Sequence, residues 1–208
     1  MRSHSPRQGG TIVIGPLRRF LQSLREVDKP VQPMLERSLP CSWVLTQRLA
    51  IGPMPRSDRH WQQLEEAGFR SRFSCCYPEE ESRLILPEGW SSDRVSLPDH
   101  RQQEPMQETR LALALSRAEA LVNGAAPVYL HCMAGCERSP LLAVGLTARL
   151  RGIDLLEALA WVRRCHPMAM PIYDHLVMLE GLLFVQPSGN EEMGPASMSR
   201  RLNGSNGS

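Results

Sequence analysis

The stretch from Val128 to Gly152 constrains this chain more than any other. Pro127 opens an apolar run, Val128-Tyr129-Leu130, that reads as a buried strand. A short loop follows, and Pro140 then stands where the first turn of a helix tolerates a residue without an N–H. That helix is predicted over Pro140 to Arg151, with Gly152 as its stop. The flanking sequence repeats the alternation. Trp43 to Leu45 and Leu49 to Gly52 read as short strands around a Gln47-Arg48 turn, a helix opens at Ser57 or Asp58 and closes near Gly68, and Phe69 to Tyr77 reads as a further strand. Acidic Pro78 to Ser82 is expected to be a loop and Arg94 to Leu97 a strand, while Pro105 begins a helix that ends at Asn123-Gly124. Asp154 to Cys165 opens with an Asp-x-x-Glu capping box completed by Glu157, and Ile172 to Phe184 is the last helix. Strands repeatedly followed by helices predict a single α/β domain, with a central mostly parallel sheet and helices on both faces.

A length of 208 residues suits one such domain with tails. Residues 1–40 are read as an N-terminal arm, partly helical, in which Leu17, Phe20, Leu21 and Leu24 share one face of a stretch from Pro16 to Val27. Residues 41–186 form the folded body, and the Gly, Ser, Asn and Pro-rich residues 187–208 are expected to be a disordered tail. No membrane span is expected, because even the most apolar stretch, Leu141 to Leu150, falls short of the ~18 residues required and contains Arg149. The net charge is +2, yet the first 40 residues hold seven basic and three acidic side chains, leaving the remainder at −2. A body with that balance lacks the cationic surface that nucleic acid demands. The polar, Arg-bearing start does not resemble a secretion signal, so the six cysteines are expected to be free thiols in a reducing cytoplasm.

The loop between strand and helix carries the chemistry: His131-Cys132-Met133-Ala134-Gly135-Cys136-Glu137-Arg138-Ser139. Successive backbone N–H groups of a tight loop can point inward, and the positive end of the following helix adds partial charge, so the segment is an anion cradle suited to a phosphate dianion. Gly135 allows the turn, and Arg138 can return over the loop to grip two oxygens with its planar fork. Cys132 would feel loop dipoles, helix terminus and Arg138, all of which favour thiolate over thiol. Such a sulfur can attack phosphorus in line, with a separate acid protonating the departing oxygen and Ser139 donating to the sulfur as it leaves. The chemistry calls for no metal and no other cofactor.

Cys-x5-Arg-Ser preceded by His resembles the signature of the cysteine-dependent protein tyrosine phosphatases, and the short body resembles their dual-specificity branch. The likeness covers about Trp43 to Phe184 and makes the 41–186 body the catalytic domain of such a phosphatase. It implies Cys132 as nucleophile, Arg138 as phosphate clamp and Ser139 as the hydroxyl that stabilises the thiolate. The other residues from His131 to Glu137 would bind substrate. The family's general acid is an Asp on a loop after an upstream strand, which implies Asp99 within Ser96-Leu97-Pro98-Asp99-His100; Asp93, Glu104 and the Glu79 to Glu81 run are weaker candidates. His131 is read as a hydrogen-bonding support rather than an acid or base.

The implied activity is hydrolysis of phosphotyrosine and phosphoserine or phosphothreonine on a protein substrate through a cysteinyl-phosphate. Two alternatives remain: a phosphatase of a small metabolite, nucleic-acid end or simple phospholipid, and a catalytically weak module that binds phosphorylated partners. Members acting on polyanionic inositol lipids tend to carry Lys in the loop, whereas here the variable positions are Met133, Ala134, Cys136 and Glu137. Three fates are open to Glu137: pairing with a surface Arg, selecting against acidic substrates, or pointing away. Cys75, Cys76 and Cys136 are candidate resolving thiols for Cys132. A zinc site from Cys132, Cys136, Cys165 and His166 is disfavoured by its spacing.

Overall fold

The computed structural model describes residues 38–81 and 85–184. The helical stretch expected at 16–27, nearly all of the arm 1–40 and the tail 187–208 lie outside these described residues. Among the described residues five strands form one sheet in the order β1-β2-β5-β3-β4. β1 (Ser42–Leu45) and β2 (Leu49–Pro53) are the antiparallel hairpin expected around Gln47-Arg48, and β2, β5 (Val128–Cys132), β3 (Ser71–Ser74) and β4 (Ser91–Arg94) run parallel. β5 sits at the centre because every one of its residues is buried, as a parallel strand covered on both faces requires.

Alternation along β5 explains the layers. Val128 and Leu130 point into the larger core with Leu49, Ile51 and Phe73, and that side is covered by α2 (Glu108–Ala125), α3 (Arg138–Arg151), α4 (Leu155–Cys165) and α5 (Tyr173–Phe184). Tyr129 points the other way and packs with Phe69, Trp90 and Trp61 of α1 (Asp58–Glu66), so one helix and an aromatic cluster cover the second face. The α/β architecture with helices on both faces is therefore as expected. α3 is buried continuously from Arg138 to Ala148, and a helix apolar nearly all round belongs at the centre of its layer. Gly152 ends it in the left-handed region at φ 64°, and Asp154 caps α4 by accepting from the Glu157 amide.

Three local expectations are corrected. α2 starts at Glu108 with Gln107 as N-cap, so Pro105 lies before the helix rather than in its first turn. β4 is Ser91–Arg94 rather than 94–97, because an edge strand of Ser-Ser-Asp-Arg has no apolar alternation to reveal it. Val95 and Leu97 still donate to the carbonyls of Ser74 and Cys75, at 3.1 and 3.0 Å, as the chain leaves the sheet. The acidic Pro78–Ser82 loop begins as a 3-10 turn, Pro78–Glu81, whose last two carboxylates turn inward.

Glu81 is 6% exposed and accepts from Arg72 at 3.2 Å, from Arg94 and from Ser74 Oγ. Burial alone would raise its pKa, but the Ser74 hydroxyl and the Arg72 and Arg94 guanidiniums outweigh it and hold the carboxyl below its usual range. A depressed folded-state pKa stabilises the fold above the unfolded value, and that contribution is lost as pH falls through the folded one. Glu81→Ala leaves Arg72, itself 7% exposed, without its counter-charge. Urea unfolding should show a loss of about 3 kcal/mol at neutral pH, as for one partner removed from a buried pair, and a smaller difference in acid. A neutral-pH change below about 1 kcal/mol, the scale of a surface pair, would contradict this account of the network.

Candidate active site

Cys132 ends β5 and Arg138 begins α3, so the five residues between them turn at the carboxyl edge of the sheet's central strand. The loop's carbonyls are drawn outward. Met133 O accepts from the Met54 amide at 3.3 Å, Cys136 O from the Met170 amide at 2.6 Å, and Gly135 O from His166 Nε2 at 3.0 Å. Among the described residues, none of the amides from 133 to 137 donates to a protein acceptor. A loop whose carbonyls are tied outside and whose N–H groups are left over is an anion nest. Gly135 is essential to it: φ is 75°, and a Cβ there would lie 2.6 Å from the Gly52 carbonyl carbon.

His166 supports the curl from behind. It is 5% exposed, donates through Nε2 to Gly135 and accepts through Nδ1 from Ser42 Oγ at 2.9 Å, which fixes one neutral tautomer; burial moves its pKa down. Both ring nitrogens are thus in use, which leaves none for the zinc arrangement with Cys132, Cys136 and Cys165. Sequence reasoning had no signal for this role, since His166 follows α4 and reaches the loop only through tertiary packing.

Cys132 is 2% exposed, and Ser139 Oγ donates to its sulfur at 3.3 Å. Arg138 is buried to 1% exposure. Its Nη1 donates to Glu80 Oε2 at 2.7 Å and to the carbonyls of Cys75 and Leu97 at 3.4 and 3.3 Å, while Nη2 meets Glu80 Oε1 and Asp99 Oδ2, each at 3.0 Å. Its Nε has no partner among the described residues. A buried N–H of a cation without an acceptor is costly, and an oxyanion in the curl would satisfy it. Glu80, grouped at sequence level with weaker acid candidates, instead aligns the guanidinium in a bidentate pair. Burial alone would raise its pKa, but bonds from Arg138 and the Tyr77 amide outweigh that and lower it. Burial alone would lower the pKa of Arg138, but the Glu80 bond together with the charges of Cys132, Cys76 and Glu80 outweighs that and pushes it further up.

Asp99 is 8% exposed and lines the same cavity as Cys132, Met133, Ala134, Cys136 and Arg138, a space of about 170 Å³. Arg101 holds its carboxylate through Nε at 3.1 Å and Nη2 at 2.5 Å. Burial would raise its pKa, yet Arg101 and Arg138 outweigh it and hold the resting carboxyl below its ordinary value. The other acid candidates are elsewhere engaged: Asp93 with Arg117, Glu104 with Tyr77 and Arg110. Among the described residues Glu137 pairs with no Arg; it reaches across to His100. His131, read as part of the substrate cradle, is wholly buried and does not line the cavity. Its Nε2 faces Arg72 at 3.3 Å, and burial moves its pKa down to about 3, so it is a neutral support.

The donor atoms of Cys76, Glu81 and His131 lie within 4.8 Å of one another, the spacing of a metal site. Glu81 is already saturated by two guanidiniums, and those cations oppose a further one. All six cysteines are free. Burial pushes the Cys76 thiol up to about 12 and raises Cys75 and Cys136, so these three sulfurs are protonated near neutrality.

No protein-family model matches the chain. Solved structures do. Tk-PTP in its active form aligns at a TM-score of 0.56 and 23% identity over 69% of this chain and 95% of its own. A mouse protein described as a dual specificity phosphatase, in complex with zinc tungstate, aligns at 0.54 and 22% over 71% and 88%. PTPMT1 in complex with PI(5)P aligns at 0.55 and 15% over 65% and 89%. The chain therefore carries the fold of the cysteine-dependent protein tyrosine phosphatases in its compact, dual-specificity form.

Gly135→Ala tests the curl directly. The strain of a left-handed non-glycine residue is about 1–2 kcal/mol before any contact with Gly52, so affinity for tungstate measured by calorimetry should fall at least about tenfold. An unchanged affinity would mean that anions bind somewhere other than this loop.

Proposed function

We propose that the protein hydrolyses phosphomonoesters on protein side chains, phosphotyrosine as well as phosphoserine and phosphothreonine, through a cysteinyl-phosphate on Cys132. One observation carries this reading: a sulfur that accepts from Ser139 lines one cavity with Arg138, whose Nε has no acceptor among the described residues, and with a loop whose carbonyls at 133, 135 and 136 are tied outside it. In the first step Cys132 Sγ forms a bond to phosphorus, the bond from phosphorus to the ester oxygen breaks, and Asp99 gives that oxygen its proton. In the second, water attacks phosphorus, Asp99 takes its proton, and the S–P bond breaks to release inorganic phosphate and a thiolate held by Ser139.

Asp99 must carry a proton for the first step, although Arg101 and Arg138 favour its ionised form at rest. Substrate reverses this: a phosphate dianion draws Arg138 away from Asp99 and adds a like charge beside it, and both effects raise the carboxyl pKa. The protein-substrate assignment is supported by the mouth. Its loop positions Met133, Ala134, Cys136 and Glu137 supply no Lys, and Asp99 and Glu137 stand against Arg101 and His100, so a single phosphate group is matched better than a polyanionic headgroup. A phospholipid is the second reading, since PTPMT1, which shares the fold, is known in complex with PI(5)P. Six free thiols fit a reducing compartment such as the cytoplasm. The catalytic domain is assigned to 41–186, with 1–40 as an arm and 187–208 as a tail.

Aryl-phosphate hydrolysis should be bell-shaped with pH on the acidic side of neutrality: thiolate formation raises the rate as pH rises, and loss of the Asp99 proton lowers it. Cys132→Ser should abolish turnover, and Asp99→Ala should flatten the descending limb for poor leaving groups, with a loss of about 10²-fold or more. Activity retained in Cys132→Ser would contradict the covalent route, and an unchanged limb in Asp99→Ala would assign the acid elsewhere. At matched concentrations, a phosphopeptide rate far below that for PI(5)P or small phosphates would reject the protein substrate.

A further inference from the structure

We propose that Glu137 and His100 form a latch that holds the acid loop, residues 98–102, over the phosphate loop, which makes both of them positioning residues for Asp99. The proposal rests on the phosphatase reading and deepens it. Glu137 occupies the N-cap of α3, where an acidic side chain ordinarily turns back onto its own helix amides, yet it makes no such bond. Both carboxylate oxygens instead cross to one residue of the other loop. Oε1 accepts from the His100 backbone amide at 2.9 Å and Oε2 meets His100 Nδ1 at 2.6 Å. The Glu137 side chain is 15% exposed and the His100 ring 71% exposed, so the imidazole contact is a surface pair and the bond to the His100 backbone amide carries more of the link.

The placement is what gives the link its use. His100 adjoins Asp99 and Glu137 adjoins Arg138, so the two bonds join the neighbours of the acid and of the clamp. Among the described residues the other ties across the gap run through Arg138 itself, to Asp99 at 3.0 Å and to the Leu97 carbonyl at 3.3 Å. A bound phosphate takes Arg138 from Asp99. Beyond Leu97, the Glu137–His100 pair is then the link that persists through turnover and keeps the Asp99 peptide above the sulfur. Arg101 to Glu80, at 2.8 Å, ties the same loop to the 3-10 turn on its other side, which leaves the phosphate-loop side to Glu137.

The experiment pairs catalysis with a readout that needs none. In Glu137→Ala, kcat for phenyl phosphate, whose leaving oxygen needs protonation, should fall about tenfold, while kcat for 2,4-dinitrophenyl phosphate changes less than about twofold. In an Asp99→Ala background the same substitution should cost nothing further. Glu137→Gln, which keeps an acceptor for the backbone amide, should recover part of the loss. Hydrogen exchange at the His100 amide should speed up in Glu137→Ala with the melting temperature held. Equal losses for both esters, a loss that adds to that of Asp99→Ala, or unchanged exchange would each overturn the latch. Should the intact protein hydrolyse neither ester, the phosphatase reading fails, while the exchange measurement still decides the latch.

Discussion

A guanidinium buried to 1% exposure is an expensive object, and this fold is organised around keeping Arg138 charged and aligned. Glu80 neutralises it in a bidentate pair, Asp99 meets the same Nη2, and two backbone carbonyls take the remaining Nη1 geometry. Those partners come from two segments, the chain after β3 (Cys75 and Glu80) and the loop after β4 (Leu97 and Asp99), while Arg138 itself opens α3. One cation therefore decides how three otherwise independent loops meet at the carboxyl edge of the sheet. Among the described residues those partners leave Nε without an acceptor, so an anion that reached it would supply the missing bond.

The strand-loop-helix at 128–152 was legible because its signals are local. The buried run of β5, the proline early in α3 and the left-handed Gly152 need no tertiary context. β4 was misplaced for the opposite reason: Ser91–Arg94 is an edge strand defined by pairing with β3, and its composition carries no alternating pattern. The α2 start was displaced because Pro105 fits a first turn in principle, whereas the chain first has to leave the Asp99 loop.

At the candidate site, Cys132, Met133, Ala134, Cys136, Glu137 and Arg138 of the signature line one cavity with Asp99, while His131 is buried away from it. What escaped was the supporting layer. Glu80 and Glu81 read as part of an acidic loop and as weaker acid candidates, yet the 3-10 turn sends each to a different buried cation. His166 and the Glu137–His100 pair act across 31 and 37 residues of sequence, where no local pattern operates. The division follows physical cause: groups that form the loop announce themselves by spacing, and groups that hold it in place are chosen by where packing delivers them.

The most direct measurement is a crystal structure with tungstate or vanadate bound. The oxyanion should lie inside residues 132–138, in line with Cys132 Sγ, with its oxygens on the loop amides and on Arg138 Nε and Nη2, and with the Arg138–Asp99 contact lengthened. An anion bound elsewhere, or a loop whose amides turn outward to leave sulfur and guanidinium facing apart, would contradict the account.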